Sequence, residues 1–285
     1  MRVPNLLTVP GDPLAGYLLA AGAGASWSPA VGVAMAVALL LYMAGLIMND
    51  LADVQVDAQE RPDRPIPSGR VDETLARLAV ATLLALALLL ARHVGWATVL
   101  VAMALVVCLS LYNMFLKGTP SGPLFMGLCR GLSLWLGASL VPEQSVLALL
   151  AAGGLTLYIM AVTMVARGEV SGRRIGARAL LPLLAVAAVT ALLLRHSPVS
   201  GAMQTRLAVV LFLLFSMAGL AAWRLWEAGP RSAPPLIGLL LSAVLFLQSA
   251  FCIAYNAGPL ALLAGLALLL LWPLNRLLAR FVAAS

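Results

Sequence analysis

The sequence predicts an all-α, polytopic membrane protein, and three observations predict it. Of its 285 residues, 62% are hydrophobic and only 10% are charged, with a mean hydropathy of +1.02; a soluble domain of that length cannot hide so much apolar surface. The apolar residues fall in runs near the roughly 20 residues that a spanning helix needs. Between the runs stand Pro, Gly and charge, as at Pro142, Gly172, Pro198, Gly229, Pro230, Gly258 and Pro259, where helices stop.

In chain order the candidate spans are at about 5–25, 29–50, 73–92, 94–115, 122–141, 145–166, 177–195, 205–226, 235–255 and 258–281. Cytoplasmic loops carry an excess of Lys and Arg, and ten crossings sort the basic residues sharply. One side receives fourteen, from Arg2 through Arg61, Arg64, Lys117, Arg167 and Arg173 to Arg280, and the other only Arg92, Arg195 and Arg206. The expectation is a multi-pass integral membrane protein, in the inner membrane if the cell is bacterial, with both termini cytoplasmic. "MRVPNLLTVPGDP" lacks the continuous apolar core of a cleavable signal, and no targeting peptide is expected. The net charge of +7 is scattered between apolar runs rather than gathered with aromatics, which argues against nucleic acid as a partner. Cys108, Cys129 and Cys252 have neither paired nor metal-ligand spacing, so they read as packing residues. Residues 1–285 read as a single domain, with no soluble module or internal repeat.

Seven of the eleven acidic residues fall within 50–73, in and beside "NDLADVQVDAQERPDRPIPSG". On a continuous helix Asp50, Asp53 and Asp57 stand at i, i+3 and i+7, on one stripe. Like charges so arranged repel unless a cation sits among them, and all-oxygen carboxylates suit a hard ion such as Mg²⁺. Because Mg²⁺ takes few protein carboxylates, a diphosphate is the expected completing ligand. The alternative is a solvated cytoplasmic loop. Arg61 and Arg64 can pair with these acids or meet phosphate oxygens, and the spacing leaves both open.

A second polar set lies in "SLYNMFLKGTPSG": Asn113 and Lys117 are four apart, with Tyr112 beside them. An interfacial anchor is the competing reading. Arg130 follows inside an apolar run, with Gly127 and Gly131 beside it. An intramembrane Arg is costly unless it faces a cavity or a partner, so it is expected to meet a buried anion. Gln248 and Asn256 fit either a cavity wall or hydrogen bonds between helices.

The segment from Asn49 to Gly69 resembles the first aspartate-rich motif of the UbiA superfamily of intramembrane prenyltransferases, Asn-Asp-x-x-Asp-x-x-x-Asp followed by an Arg-Pro-x-Arg-Pro-hydrophobic-Pro-Ser-Gly loop. "YNMFLKGTPSGPLFMG" is similar to the family's next stretch. The resemblance implies a bundle of nine to ten transmembrane helices around a central cavity. It also implies Mg²⁺-dependent transfer of an isoprenyl group from its diphosphate to an aromatic or other lipophilic acceptor. Carried over residue by residue, Asn49, Asp50, Asp53 and Asp57 match the first metal motif. Arg64 and Lys117 match positions that help hold diphosphate, and Tyr112 sits where an aromatic near the reacting carbon is expected.

The family's second aspartate-rich motif, after its sixth helix, is replaced here by "ARGEVSGRR", whose one acid is Glu169 among Arg167, Arg173 and Arg174. This version resembles the UbiA-like EboC branch. Two readings stand. In one, Glu169 is a metal ligand and the arginines neutralise part of the diphosphate charge. In the other, the chain is an altered relative acting as a carrier or exporter in a biosynthetic pathway. A UbiA-type terpene cyclase, in which the carbocation closes on itself, is a third.

Overall fold

The computed structural model describes residues 3–143, 145–170, 175–198, 200–227, 233–255 and 258–284. Among them the fold is helical throughout. A 3-10 turn, Val3–Thr8, precedes α1 (Gly11–Ala21), α2 (Pro29–Ala52), α3 (Val54–Glu60), α4 (Glu73–Val94) and α5 (Trp96–Leu111). A π-helical turn, Tyr112–Leu116, extends α5 before α6 (Gly122–Ala138), α7 (Val146–Val170), α8 (Leu181–His196) and α9 (Ala202–Glu227). The chain ends with α10 (Ala233–Ser242), α11 (Val244–Ala254) and α12 (Pro259–Ala284).

Eight helices among the described residues are long and apolar enough to cross a membrane. The other two expected spans are shorter. In the first, the 3-10 turn and an 11-residue α1 replace a continuous helix, and α1 alone reaches only about 16 Å. The fifth, α6, has 17 residues, at the short limit for a crossing. Of the nine to ten expected crossings, eight are thus matched by helices of clear spanning length among the described residues. Leu89, Phe212 and Leu270 are exposed along their helices, as expected where lipid is the solvent. Trp27, Trp96, Trp223 and Trp226 are exposed near helix ends, and the Arg92 guanidinium lies 4.6 Å from the Trp96 ring centroid.

In lipid, helices associate through close packing and hydrogen bonds rather than hydrophobic burial, and α6 shows how. A Cβ added to Gly137 would stand 1.7 Å from the Pro13 carbonyl oxygen, and one added to Gly16 only 1.9 Å from that of Leu134. On its other side, a Cβ at Gly127 would meet the Thr156 oxygen at 2.3 Å, and one at Gly131 the Thr156 hydroxyl at 2.1 Å. The absent side chains let α6 lie backbone to backbone against both α1 and α7. Elsewhere polar side chains tie helices together: Tyr158 Oη donates to Leu240 O at 2.7 Å and Ser249 Oγ to Gly265 O at 3.0 Å.

Gly137→Val is expected to lower the thermal midpoint of the detergent-solubilised protein, with a loss of about 1–3 kcal/mol from overpacking. Gly153→Ala, whose added Cβ would meet nothing within 4 Å, is expected to leave the midpoint unchanged or raised. Equal midpoints for wild type and Gly137→Val would show that the α1–α6 contact is not close.

Candidate active site

The acid segment does not form one continuous helical stripe. α2 ends at Ala52 and α3 begins at Val54, with Asp53 between them at φ −93°, ψ 2°. This is the sparsely populated bridge region, frequent at functional sites. Hydrogen bonding still carries through the joint: Asp53 N donates to Asn49 O at 3.1 Å and Asp57 N to Asp53 O at 2.8 Å.

The three carboxylates are met by cations of the chain itself. Arg64 Nη1 donates to Asp57 Oδ2 at 2.5 Å and lies 3.5 Å from Asp50 Oδ1, so the pairing with the acids is seen. Asp57 is buried. It anchors Arg64 in this structure, while Asp50 and Asp53 keep partial exposure, 43% and 25% of their side chains. Asp53 Oδ2 accepts from Asn49 Nδ2 at 3.0 Å and from Lys117 Nζ. The proline-rich loop folds back on itself: Val71 N donates to Pro65 O at 2.9 Å, and Gly69 turns at φ 74°, a conformation that favours glycine. Asp72 then caps α4, accepting from the backbone N–H groups of Thr74 and Leu75 at 2.7 and 3.1 Å. These backbone bonds, Leu75 first, hold its carboxyl below the usual carboxylate range.

Lys117, which meets Asp53, directly follows the π-helical turn that ends α5. Such turns recur at functional sites, and this one sets Tyr112 and Asn113 on the wall of a cavity of about 290 Å³. Asn113 is buried; its Nδ2 donates to Leu109 O at 2.9 Å while its Oδ1 has no hydrogen-bond partner. Asn49 lines the same cavity, whose remaining wall is largely apolar, with Leu41, Leu105, Leu109, Ile159, Val162 and Val244.

Arg130 also lines this cavity, and the anion it meets belongs to the protein. Its Nη2 donates to Asp12 Oδ1 at 3.0 Å and to Thr8 O at 3.2 Å, its Nη1 to Thr8 Oγ1 at 3.3 Å, and its Nε lies 3.0 Å from Asp12 Oδ2. Gln248 Nε2 adds bonds to Asp12 Oδ1 at 2.5 Å and Thr8 O at 2.6 Å, so of its two expected roles the interhelical one is seen. Asp12 is a residue that sequence reasoning missed. It sits between Gly11 and Pro13, where an acid reads as turn punctuation.

Arg167 points elsewhere than at the carboxylates. It donates from Nη1 to Thr119 O and from Nη2 to Gly118 O at 2.7 Å, clamping the end of α7 onto the loop just after Lys117. Glu169 lies in the last turn of α7; its side chain, together with Arg173, Arg174 and Asn256, falls outside the described residues.

Replacing Arg167 with Gln removes this clamp. Amide exchange in a peptide spanning residues 116–122 is expected to quicken about tenfold or more, the scale set by the loss of hydrogen bonds to a charged group. Arg167→Lys should recover part of the protection, and unchanged exchange in both variants would show that the loop is held by other means.

Comparison with known proteins bears on this geometry. The model of the UbiA prenyltransferase family matches residues 13–246. The chain is 37% identical over 152 residues to a digeranylgeranylglyceryl phosphate synthase of Methanosarcina barkeri, covering 49% of this chain and 52% of that protein. To the Methanopyrus kandleri protein of the same name it is 40% identical over 104 residues, 34% of this chain and 36% of that one. The chain thus spans about half, or less, of the length of these relatives. Among solved structures, a UbiA homolog from Aeropyrum pernix superposes with a TM-score of 0.70 at 18% identity, covering 88% of this chain and 97% of that one. A structure concerned with digeranylgeranylglyceryl phosphate synthase gives 0.66 at 21% identity, covering 92% and 95%. At these identities the structures speak to the fold. The family match over most of the chain identifies the protein as a member of the UbiA prenyltransferase family.

Proposed function

We propose that the protein is an intramembrane prenyltransferase that moves an isoprenyl group from an allylic polyprenyl diphosphate to an aromatic or other lipophilic acceptor. The observation that carries this reading is the gathering of Asp50, Asp53, Arg64 and Lys117 beside Asn49, which bonds Asp53 and, with Tyr112 and Asn113, forms a polar part of the wall of an otherwise largely apolar cavity. A diphosphate suits the charged end and a hydrocarbon chain the apolar one. Residues 1–285 act as one unit in this reading, with the acid segment and both termini on the cytoplasmic side.

The donor set fits Mg²⁺. Asp50 and Asp53 offer partly exposed carboxylate oxygens, and among the described residues no three acidic, His or Cys side chains gather into a cage of their own. That matches an ion which takes one or two carboxylates and completes its shell with water and phosphate. When bound, Mg²⁺ supplies charge neutralisation for the leaving diphosphate. Lys117 and Arg64, now resting on carboxylates, are within the same cluster and can turn their donors to phosphate oxygens as the allylic C–O bond breaks. The apolar wall keeps water from the carbocation, and the acceptor's nucleophile closes the new bond and releases its proton.

The test gives the purified full chain radiolabelled isoprenyl diphosphates and a panel of lipophilic acceptors, with and without EDTA. A metal-dependent lipid product is expected, and Lys117→Ala and Asp53→Asn should each lower its rate by about 10²-fold or more. A cyclic hydrocarbon formed without acceptor would replace transfer with cyclisation. Diphosphate binding with no turnover would replace it with the carrier reading.

A further inference from the structure

A second cavity, of about 400 Å³, lies where four helix ends meet: Ala20 of α1, Ser145 and Val146 at the start of α7, His196 at the end of α8 and Tyr255 just after α11. It is far from the acid cluster. From Val146 to Arg167, which holds the loop after Lys117, α7 rises about 30 Å, the thickness of a bilayer's hydrocarbon core. The cavity therefore opens at the membrane face opposite Asp50 and Asp53.

Its frame is tied together. Ser197 Oγ donates to Ala254 O and joins the ends of α8 and α11, while the Tyr255 ring lies so close to Gly22 that an added Cβ would stand 2.8 Å from it. Ser145 caps α7, its Oγ accepting from Ala148 N at 3.3 Å. Glu143, the one acidic residue between Glu73 and Glu169, and His196 both line this cavity, and neither has a hydrogen bond or ion pair among the described residues.

The lining offers both polarities. The Glu143 carboxylate is free to take a cation. The N–H groups of Val146 and Leu147, in the first turn of α7, have no intrahelical partner and no acidic residue beside them in that turn; with a His196 ring N–H they suit a phosphate. A lone anion would meet Glu143 and a lone cation would leave these donors idle, so a zwitterion fits best. A primary ammonium brings three N–H donors to the carboxylate, whereas a quaternary one brings none. Val146 and Leu149 are 69% and 59% exposed, which puts lipid-facing surface directly beside the cavity.

We infer that this cavity seats the headgroup of a zwitterionic aminophospholipid, its primary ammonium on Glu143 and its phosphate at the start of α7 beside His196. The full chain, delipidated in detergent, is titrated with phosphatidylethanolamine, phosphatidylcholine and phosphatidylglycerol of identical acyl chains, and bound lipid is counted by native mass spectrometry. Wild type is expected to retain the ethanolamine lipid about fivefold or more over either other, the scale of a hydrogen bond between charged groups at a solvated site. Glu143→Gln should bring it down to the level of the choline lipid, and His196→Ala should weaken both several-fold. Both residues are exposed, so neither change disturbs the packed core. Asp53→Asn, in the acid cluster, should leave the preference unaltered.

Equal retention of the three lipids overturns the inference, as does an ethanolamine preference that survives in Glu143→Gln or is lost in Asp53→Asn. Glycerophosphoethanolamine carries the same headgroup without acyl chains and should displace the lipid only at large excess. Displacement at equal concentration would assign the cavity to a free zwitterion and overturn the lipid. None of these readouts involves prenyl transfer.

Discussion

A charge inside an apolar bundle persists where its counter-charge is built in beside it, and the Asp12–Arg130 pair meets that condition at the junction of three helices. Asp12 comes from α1, Arg130 from α6, and Gln248 of α11 bonds the same carboxylate oxygen. Removing one member of such a buried pair leaves the other uncompensated, at roughly 3–5 kcal/mol. The pair is directional as well as strong, because a guanidinium must present its fork to the carboxylate. It therefore fixes how α1 and α11 stand against α6, and with them part of the cavity wall.

The same electrostatic rule operates in the acid cluster beside Asn49 with a different balance. There the Asp53–Lys117 pair has 25% and 34% of its side chains exposed, against 0% and 11% for Asp12 and Arg130. A solvated pair exchanges partners at little cost, and a buried one does not. The distinction separates cations that can change partners from one committed to the architecture. Arg64 is intermediate: one contact is to buried Asp57 and the other to half-exposed Asp50.

Much of this was legible in the sequence, for reasons that also explain what was not. Run length and Lys/Arg placement found every long helix, because bilayer thickness imposes one length scale on all of them. The Asp50–Asp53–Asp57 spacing and Lys117 were visible as residue types, and the family motif tied them together. The kink at Asp53 was hidden: helix spacing assumes a continuous ladder, and no Gly or Pro marks the joint. The π-helical turn at 112–116 was hidden too, since one residue of extra register leaves no compositional trace. The 235–255 run reads as one span, yet α10 and α11 part at Ala243. Asp12 escaped because its partners lie more than a hundred residues away, and long-range pairing is a property of the fold rather than of local pattern.

The backbone contacts of α6 have a consequence for how this chain can vary. With Gly137 against α1 and Gly127 and Gly131 against α7, the rotation of α6 about its own axis is set from two sides. The direction of Arg130 follows from that rotation. These glycines thus behave as silent partners of the arginine: they touch no substrate, but any side chain at them would turn the guanidinium away from its carboxylate. In a mutational tolerance map they should be as intolerant as the charged residues they orient, although nothing in their chemistry would suggest it.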